Sequence, residues 1–358
     1  MQRLVIFLIL ITVVSLSVSS CQPNQDINPK SATDILVTSE VQGTQSSEIQ
    51  PTETDLPMGS DQTACFETYV APIAFMSDNS RILVGATTGV QIYNLEKLKE
   101  ERFLESPTNL NRPIVALSPD EETLTWALED NTIQLIRLSD EKVLQSLVGH
   151  TGAITKLRFS QTGERLFSAS HDGWVRVWTS TGEPVHAFQP GGGEVFGIGI
   201  SPDGTRLATI PMDGPVKLWD TKDFQALIEV GGTGGYDTSD VAFSMDGGFL
   251  AADLATGLSV WDAANQTLLW DGINSMAFAF SPVGNILAYS DIGEDNTIVL
   301  SSPDGKQKLQ KLERHEGPIW ELLFSPDGSL LASADGLEIR IWRVGDGKLL
   351  YVGKSVCP

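Results

Sequence analysis

Groups that do covalent chemistry are scarce in this chain. Its 358 residues include three cysteines, Cys21, Cys65 and Cys357, and four histidines, His150, His171, His186 and His315. No HxxxH, HExxH or GxSxG spacing occurs, and no glycine loop is placed to cradle a phosphate before a helix, so the usual signatures of metallohydrolases, nucleophile elbows and nucleotide-binding loops are missing. Positive charge is also short: 24 Lys and Arg face 46 Asp and Glu, a net charge of −22. That balance repels polyphosphate and anionic headgroups, which argues against nucleic acid or a membrane face as partner. No cofactor and no metal site is expected. The cluster Asp291–Asn296 offers oxygen ligands for calcium but lacks the acidic spacing of a known loop. "GGGEVFGIG", Gly191–Gly199, is glycine-rich but reads as a loop between strands.

Long apolar runs are missing too, except at the start. Arg3 precedes Leu4–Val14, which fades into small residues. At roughly 20 residues for a span, this run is too short to cross a membrane and has the layout of a secretory signal. Val18-Ser19-Ser20-Cys21 resembles the bacterial lipobox. That resemblance implies removal of residues 1–20 and lipidation of Cys21, with several acyl chains giving durable anchoring. Cleavage removes only Arg3 and moves the net charge from −22 to −23. From Gln22 to Ala64 there is no Phe, Trp or Tyr. Such a stretch buries too little apolar area to offset its ordering entropy, so residues 21–64 read as a disordered tether.

Beyond it the chain repeats. Tyr93, Ile136, Trp178, Trp219, Trp261, Leu300 and Trp342 mark successive units 39 to 43 residues apart. Each unit carries short alternating runs such as "ITKLRF" and "VRVW", separated by "SPDG" turns at Ser201–Gly204 and Ser325–Gly328. No 12-residue stretch reads as an amphipathic helix. Four strands in about 40–45 residues is the blade of a β-propeller. The expectation is an all-β, seven-bladed β-propeller over residues 65–358.

The units resemble the WD40-repeat family, best at Gly149–Trp178, where His150, a serine (Ser168 or Ser170), Asp172 and Trp178 stand at the family's positions. The resemblance implies that these residues are a buried hydrogen-bonded set fixing the blade, with Asp213 and Trp219 in the fourth unit and His315 and Trp342 in the seventh. Asp335 stands one residue out of register there, and the fifth unit has Ala255 where the turn aspartate belongs. No catalytic residue is expected among them.

A propeller without such chemistry offers two loop-built faces for recognition. Counting back from the inner-strand aromatics places Thr155, Phe196, Met276 and Trp320 where inner strands open, and Phe196, Met276 and Trp320 are candidate partner contacts at the channel mouth. Trp174, after a tight turn, is a fourth and is expected to be exposed. Lys348–Val352 reads as the last unit's own outer strand, which makes closure by a borrowed N-terminal strand doubtful, Gly59–Ala64 being a poor strand. Cys65 and Cys357 occupy the same loop of the repeat, cut open where the ring begins and ends, and are expected to form a disulfide in an oxidising compartment. The function implied is a monomeric, lipid-anchored, extracytoplasmic protein-binding scaffold of a bacterial envelope. The alternatives are a propeller hydrolase or lyase with its site at the channel mouth, and an accessory subunit of envelope-assembly machinery. Convergent ionisable groups with perturbed pKa at one channel end would favour the enzyme.

Overall fold

The computed structural model describes residues 64–65, 70–97, 99–106, 113–232, 234, 240–312 and 315–354. The signal segment, Cys21, the tether up to Thr63, and Cys357 lie outside the described residues. Seven antiparallel sheets follow one another in chain order, each a meander of four strands with the first innermost. In blade three these are Ile154–Phe159, Arg165–Ser170, Val175–Thr179 and Pro184–Phe188. The innermost strands touch in cyclic order, and that of blade seven (Glu321–Phe324) touches that of blade one (Val70–Phe75). The ring is therefore closed.

Burial along each blade follows its place in the ring. The second strand of blade three is buried at every position but the first, whereas its outer strand begins with three exposed residues. Second strands are largely buried on both faces because a neighbouring blade covers each face, and the few polar residues they carry, such as Ser168 and Thr209, are buried with them. Outer strands meet solvent at the rim. The repeat marks all fall on third strands, and each pairs with an apolar residue of the second, as in Leu166 with Trp178 and Ile82 with Tyr93. All seven are buried, from 0% exposure at Trp342 to 8% at Trp219. Ile136 and Leu300 thus do the packing of a tryptophan in blades two and six.

Turn chemistry is equally regular. In Ser201–Gly204 the Ser201 hydroxyl donates to Asp203 Oδ1 at 2.5 Å and accepts the Arg206 N–H at 2.9 Å. Gly204 sits at φ 70°, a left-handed conformation that penalises any Cβ. The same Ser–Asp bond recurs at Ser118, Ser244, Ser302 and Ser325. "GGGEVFGIG" is a loop only in part: Val195–Ile200 is the inner strand of blade four. A Cβ at Gly199 would lie 2.4 Å from the Val241 carbonyl oxygen, so glycine lets blades four and five approach.

Closure differs from the expectation in one respect. Blade seven does supply its own outer strand, Leu349–Lys354, but Ala64–Cys65 adds a fifth, parallel strand outside it, pairing Ala64 with Gly353 and Cys65 with Lys354. An unpaired sheet edge has free N–H and C=O groups, and the chain satisfies some of them as it passes on its way to blade one. An apolar cluster seals the same junction, joining Phe75, Ile82, Val84 and Tyr93 of blade one to Ala332, Ile341 and Tyr351 of blade seven.

Candidate functional site at the channel mouth

Among the described residues, two kinds of polar cluster lie inside this ring, one closed within a blade and one that opens on space. The first is the set in blade three. His150 Nδ1 lies 2.9 Å from Asp172 Oδ2, its Nε2 lies 2.8 Å from Ser168 Oγ, and Trp178 Nε1 donates to the same oxygen at 3.0 Å. One proton arrangement satisfies every group: Nδ1–H donates to Asp172, Ser168 donates to Nε2, and Ser168 accepts from Trp178. Burial lowers the His150 pKa, so the ring is neutral, as this arrangement requires. Burial alone would raise Asp172, but hydrogen bonds from the Thr151 and Trp174 amides and from His150 outweigh it and lower it. The distances match a Ser–His–Asp triad. Ser168, however, is wholly buried, its oxygen already takes a Trp N–H, and it lines none of the described cavities. A nucleophile needs access to a substrate; this serine has none. The alternative serine, Ser170, instead donates to the Gly152 carbonyl at 2.8 Å.

Blade seven repeats the arrangement: His315 Nε2 meets Ser333 Oγ at 2.7 Å, Trp342 donates to that oxygen at 2.8 Å, and Nδ1 lies 3.3 Å from Asp335. The out-of-register Asp335 still reaches because its turn is compact, its Oδ1 taking the Leu337 and Glu338 amides. Glu338 approaches as well, and His315, Asp335 and Glu338 form the one set among the described residues close enough to hold a metal ion. Their atoms are already committed to Ser333, two backbone amides and Arg340, which is a blade-fixing role. In blade four Trp219 donates to Thr209 at 2.9 Å, and Thr209 is the serine's counterpart. Asp213 departs from the expectation: without a histidine above it, it is exposed in its turn.

The second cluster lies at the channel. The innermost strands of all seven blades enclose a cavity of about 340 Å³ whose walls include Ile73, Val115, Arg158, Gly199, Phe243, Phe280 and Leu323. At one end, blade three projects two cations across the opening to blade five: Lys156 Nζ and Arg158 Nη2 lie 3.0 and 2.7 Å from Asp240 Oδ2. Beside Asp240 stands Asp253, whose N–H donates to the Asp240 carbonyl at 2.9 Å. Asp253 is only 5% exposed, and its carboxylate makes no hydrogen bond among the described residues. Burial, then the neighbouring Asp240 charge, pushes its pKa up to about 7, with Lys156 opposing. Asp240 goes the other way: burial would raise it, but Lys156 and Arg158 hold it low. A smaller, partly open cavity of about 10 Å³ lies against Asp253, Asp240, Lys156, Glu321, Met276 and Trp320.

The expected partner contacts divide here. Met276 and Trp320 line this small cavity and are half-buried, at the mouth where inner-strand counting put them. Phe196 is not an exposed contact: it is 3% exposed, with its ring edge-on to His171 at 5.7 Å. Trp174 is half-buried, under the Arg176 guanidinium, instead of exposed. Thr155 is turned to the next blade, donating to the Val195 carbonyl. Sequence reading missed Lys156, Asp240 and Asp253, although an acid within the apolar second strand Phe249–Leu254 was a signal of a buried charge.

Comparison with known proteins agrees with this architecture. Residues 141–179 and 306–343 match the model of the WD domain, G-beta repeat. The chain is 27% identical to human Apoptotic protease-activating factor 1 over 286 residues, 79% of this chain and 19% of that protein. It is 28% identical to the Rattus norvegicus protein of the same name over 66% of this chain, and spans 16% of it. It is 26% identical to Eukaryotic translation initiation factor 3 subunit I of Culex quinquefasciatus over 52% of this chain and 62% of that one. The chain therefore spans under a fifth of the first of these relatives. The ring as a whole is a seven-bladed β-propeller, and two stretches of it match the WD-repeat model.

Proposed function

We propose that this chain is a non-catalytic, protein-binding scaffold held to a bacterial membrane by a lipid on Cys21, with its propeller outside the cytoplasm. The observation that carries the binding part is the channel mouth, where half-buried Met276 and Trp320 flank an ionic cluster on a closed ring. Stiff scaffolds display recognition groups in this way, a few anchors among surroundings that need not change. The lipid part rests on Val18–Cys21 and the apolar run before it. A Cys65–Cys357 disulfide belongs to the same reading, as it needs an oxidising compartment. The backbone register that sets Cys65 beside Lys354 supports it, three residues short of Cys357.

Capture of the full chain from native membranes, followed by mass spectrometry, tests the scaffold. Recovery of one reproducible protein partner is expected, and no partner across repeated captures would overturn it. For the anchor, Cys21→Ser is expected to move the protein from the membrane to the soluble fraction and abolish labelling by a palmitate analogue; unchanged fractionation would refute lipidation.

One observation favours the propeller-enzyme reading. Asp253 keeps its proton up to about pH 7, as a general acid would, at one end of the channel. The scaffold reading is supported instead by the small cavity, about 10 Å³, that reaches Asp253, whose described lining residues include no serine, cysteine or histidine.

A further inference from the structure

The channel has a second mouth, at the far ends of the innermost strands. Phe159, Phe243 and Phe280 close the first strands of blades three, five and six. With Ile200 of blade four they line both the channel cavity and a further, open cavity of about 180 Å³, whose outer wall includes Pro202 and Met245. Two of its polar groups are already spent: the Ser201 hydroxyl donates to Asp203 and the Ser281 hydroxyl to the Val283 carbonyl, both at 2.5 Å. The exposed Gln161 side chain, also in the wall, makes no hydrogen bond among the described residues.

The turns between first and second strands border this mouth, and they are described in all seven blades. Their second place holds proline in blades two, four, six and seven, as Pro119, Pro202, Pro282 and Pro326. Blade five has Met245 there, 43% exposed. The turn does not use its side chain. Its bonds are complete without it, the Gly247 N–H donating to the Ser244 carbonyl at 2.8 Å and the Ser244 hydroxyl to Asp246 at 2.6 Å. The third place holds aspartate in blades two, four, five and seven, as Asp120, Asp203, Asp246 and Asp327, and none of the four has an ion-pair partner among the described residues. The serine hydroxyl that opens the turn holds Asp120, Asp203 and Asp246 below the usual carboxylate range. Burial pushes Asp327 up, but the Ser325 hydroxyl and the Ser329 amide outweigh it. Blade one has Asp78, paired with Arg81 at 3.0 Å. A cation also stands at the wall: the Arg206 guanidinium lies over the Phe243 ring and donates to the Ala263 carbonyl at 2.9 Å.

An apolar opening rimmed by unpaired carboxylates suits an apolar group with positive charge beside it. A cavity of about 150 Å³ already admits a benzene ring, so this one takes an apolar side chain up to that size. Methionine adapts its shape to what it meets. Opposite charges around the anchor steer encounter and fix orientation. The Gln161 amide carries both a donor and an acceptor, as a peptide backbone requires. A second copy of this chain would bring the same aspartates, and a lipid tail carries no cation. We propose that this mouth docks a basic segment of a protein partner, with one large apolar side chain entering beside Met245 and Phe280 and the flanking lysines or arginines facing the turn aspartates. The inference adds a surface to the scaffold reading above and rests on it.

The probe is the amidated pentapeptide Lys-Lys-Phe-Lys-Lys with a rhodamine label at its N-terminus, titrated into the full chain and read by anisotropy. Lys-Lys-Ala-Lys-Lys lacks the anchor, and Glu-Glu-Phe-Glu-Glu reverses the charge. The first is expected to bind at least tenfold more tightly than either, and to weaken at least threefold between about 50 and 300 mM salt. Met245→Gln, at an exposed turn position, should weaken it at least fivefold. Asp203→Asn combined with Asp246→Asn keeps the turns' acceptor oxygens and should weaken it at least threefold while flattening the salt dependence. Equal binding of the phenylalanine and alanine peptides, equal binding of the basic and acidic ones, or undiminished binding by M245Q overturns the inference. So does a dimer of the full chain, or flotation of the Cys21→Ser chain with phosphatidylcholine vesicles, that M245Q abolishes, since either gives the mouth another occupant. A protein partner captured equally by M245Q and the unaltered chain also overturns it, while leaving the scaffold reading intact. Peptide binding as expected with no captured partner supports the inference and counts against the scaffold.

Discussion

Asp253→Asn should make this protein more stable, and increasingly so as the pH rises. The native carboxyl gives up its proton near pH 7, against 3.8 for the ordinary group. A folded-state pKa above the unfolded one means the native state holds the extra proton. Its contribution is therefore full below about pH 4, falls as pH rises, and is wholly lost above about 7. Three pH units at 1.36 kcal/mol each set the cost of ionised Asp253 at about 4 kcal/mol above pH 7. With 5% exposure, solvent screening takes little from that figure. Asparagine is neutral at every pH and nearly isosteric. Relative to the unaltered chain, D253N should gain about 1–2 kcal/mol at pH 5 and about 4 kcal/mol at pH 8. For a domain of this length the pH 8 value is a rise in Tm of roughly 5–10 °C. Urea unfolding of both proteins at the two pH values measures the difference, and Asp213→Asn, an exposed turn aspartate, serves as the control. Every other titrating group is common to the pair and cancels. A gap that stays constant between pH 5 and 8, or a destabilised D253N, would refute the account of a buried, unpartnered carboxylate.

Three further outcomes follow from the blade networks and the ring closure. Ser168→Ala strands His150 Nε2 and Trp178 Nε1, both buried, at about 1–3 kcal/mol each, so a loss of about 2–6 kcal/mol in urea unfolding is expected; a loss under 0.5 kcal/mol would show that the set does not fix the blade. His150, whose pKa burial lowers, must be neutral to fold, so its contribution is present above about pH 6.5 and is lost as pH falls below it; His150→Gln should flatten that acid limb of the stability profile, and an unchanged limb would assign it elsewhere. Cys357→Ser, by opening a Cys65–Cys357 loop that spans nearly the whole ring, should cost up to about 5–6 kcal/mol by loop entropy, and non-reducing mass spectrometry showing two free thiols in the unaltered protein would contradict the bond.

The ring was legible because its repeat is carried by packing positions, not by any one residue type. Tyr93, Ile136 and Leu300 stand where the other units have tryptophan, yet all three are buried against the second strand of their blade. Spacing and apolar character were enough to place them. What did not show in the sequence depends on contacts between residues far apart. Ala64–Cys65 is too short to carry a strand pattern and pairs only because the edge of Leu349–Lys354 is there to receive it. Phe196 occupies the same inner-strand position as Met276 and Trp320, but His171 comes from the preceding blade to cover it. Asp213 keeps its place in the repeat and loses its role because blade four has no histidine for it to hold.

Asp253 joins these two lessons. In blade three the polar residue of the second strand is Ser168, two places beyond the residue paired with the tryptophan mark; in blade four Thr209 has the same place. Blade five puts Ala252 there, opposite Ser259, and moves the polar residue one place on. In a strand one step turns a side chain to the opposite face. Ala252 and Leu250 pack with Trp261 toward blade four, whereas Ala251 packs with Leu287 and Tyr289 of blade six. Asp253 shares the face of Ala251. The step that takes polarity out of the blade-fixing network therefore aims it toward blade six and the channel-mouth cavity that Met276 of blade six and Trp320 of blade seven line. An aspartate at the Ala252 position would meet a tryptophan in a closed core; at position 253 it meets the channel mouth. A carboxylate moved onto Ala252 in the D253N background should accordingly destabilise the fold in urea unfolding, and an unchanged unfolding midpoint would break the link between strand register and site.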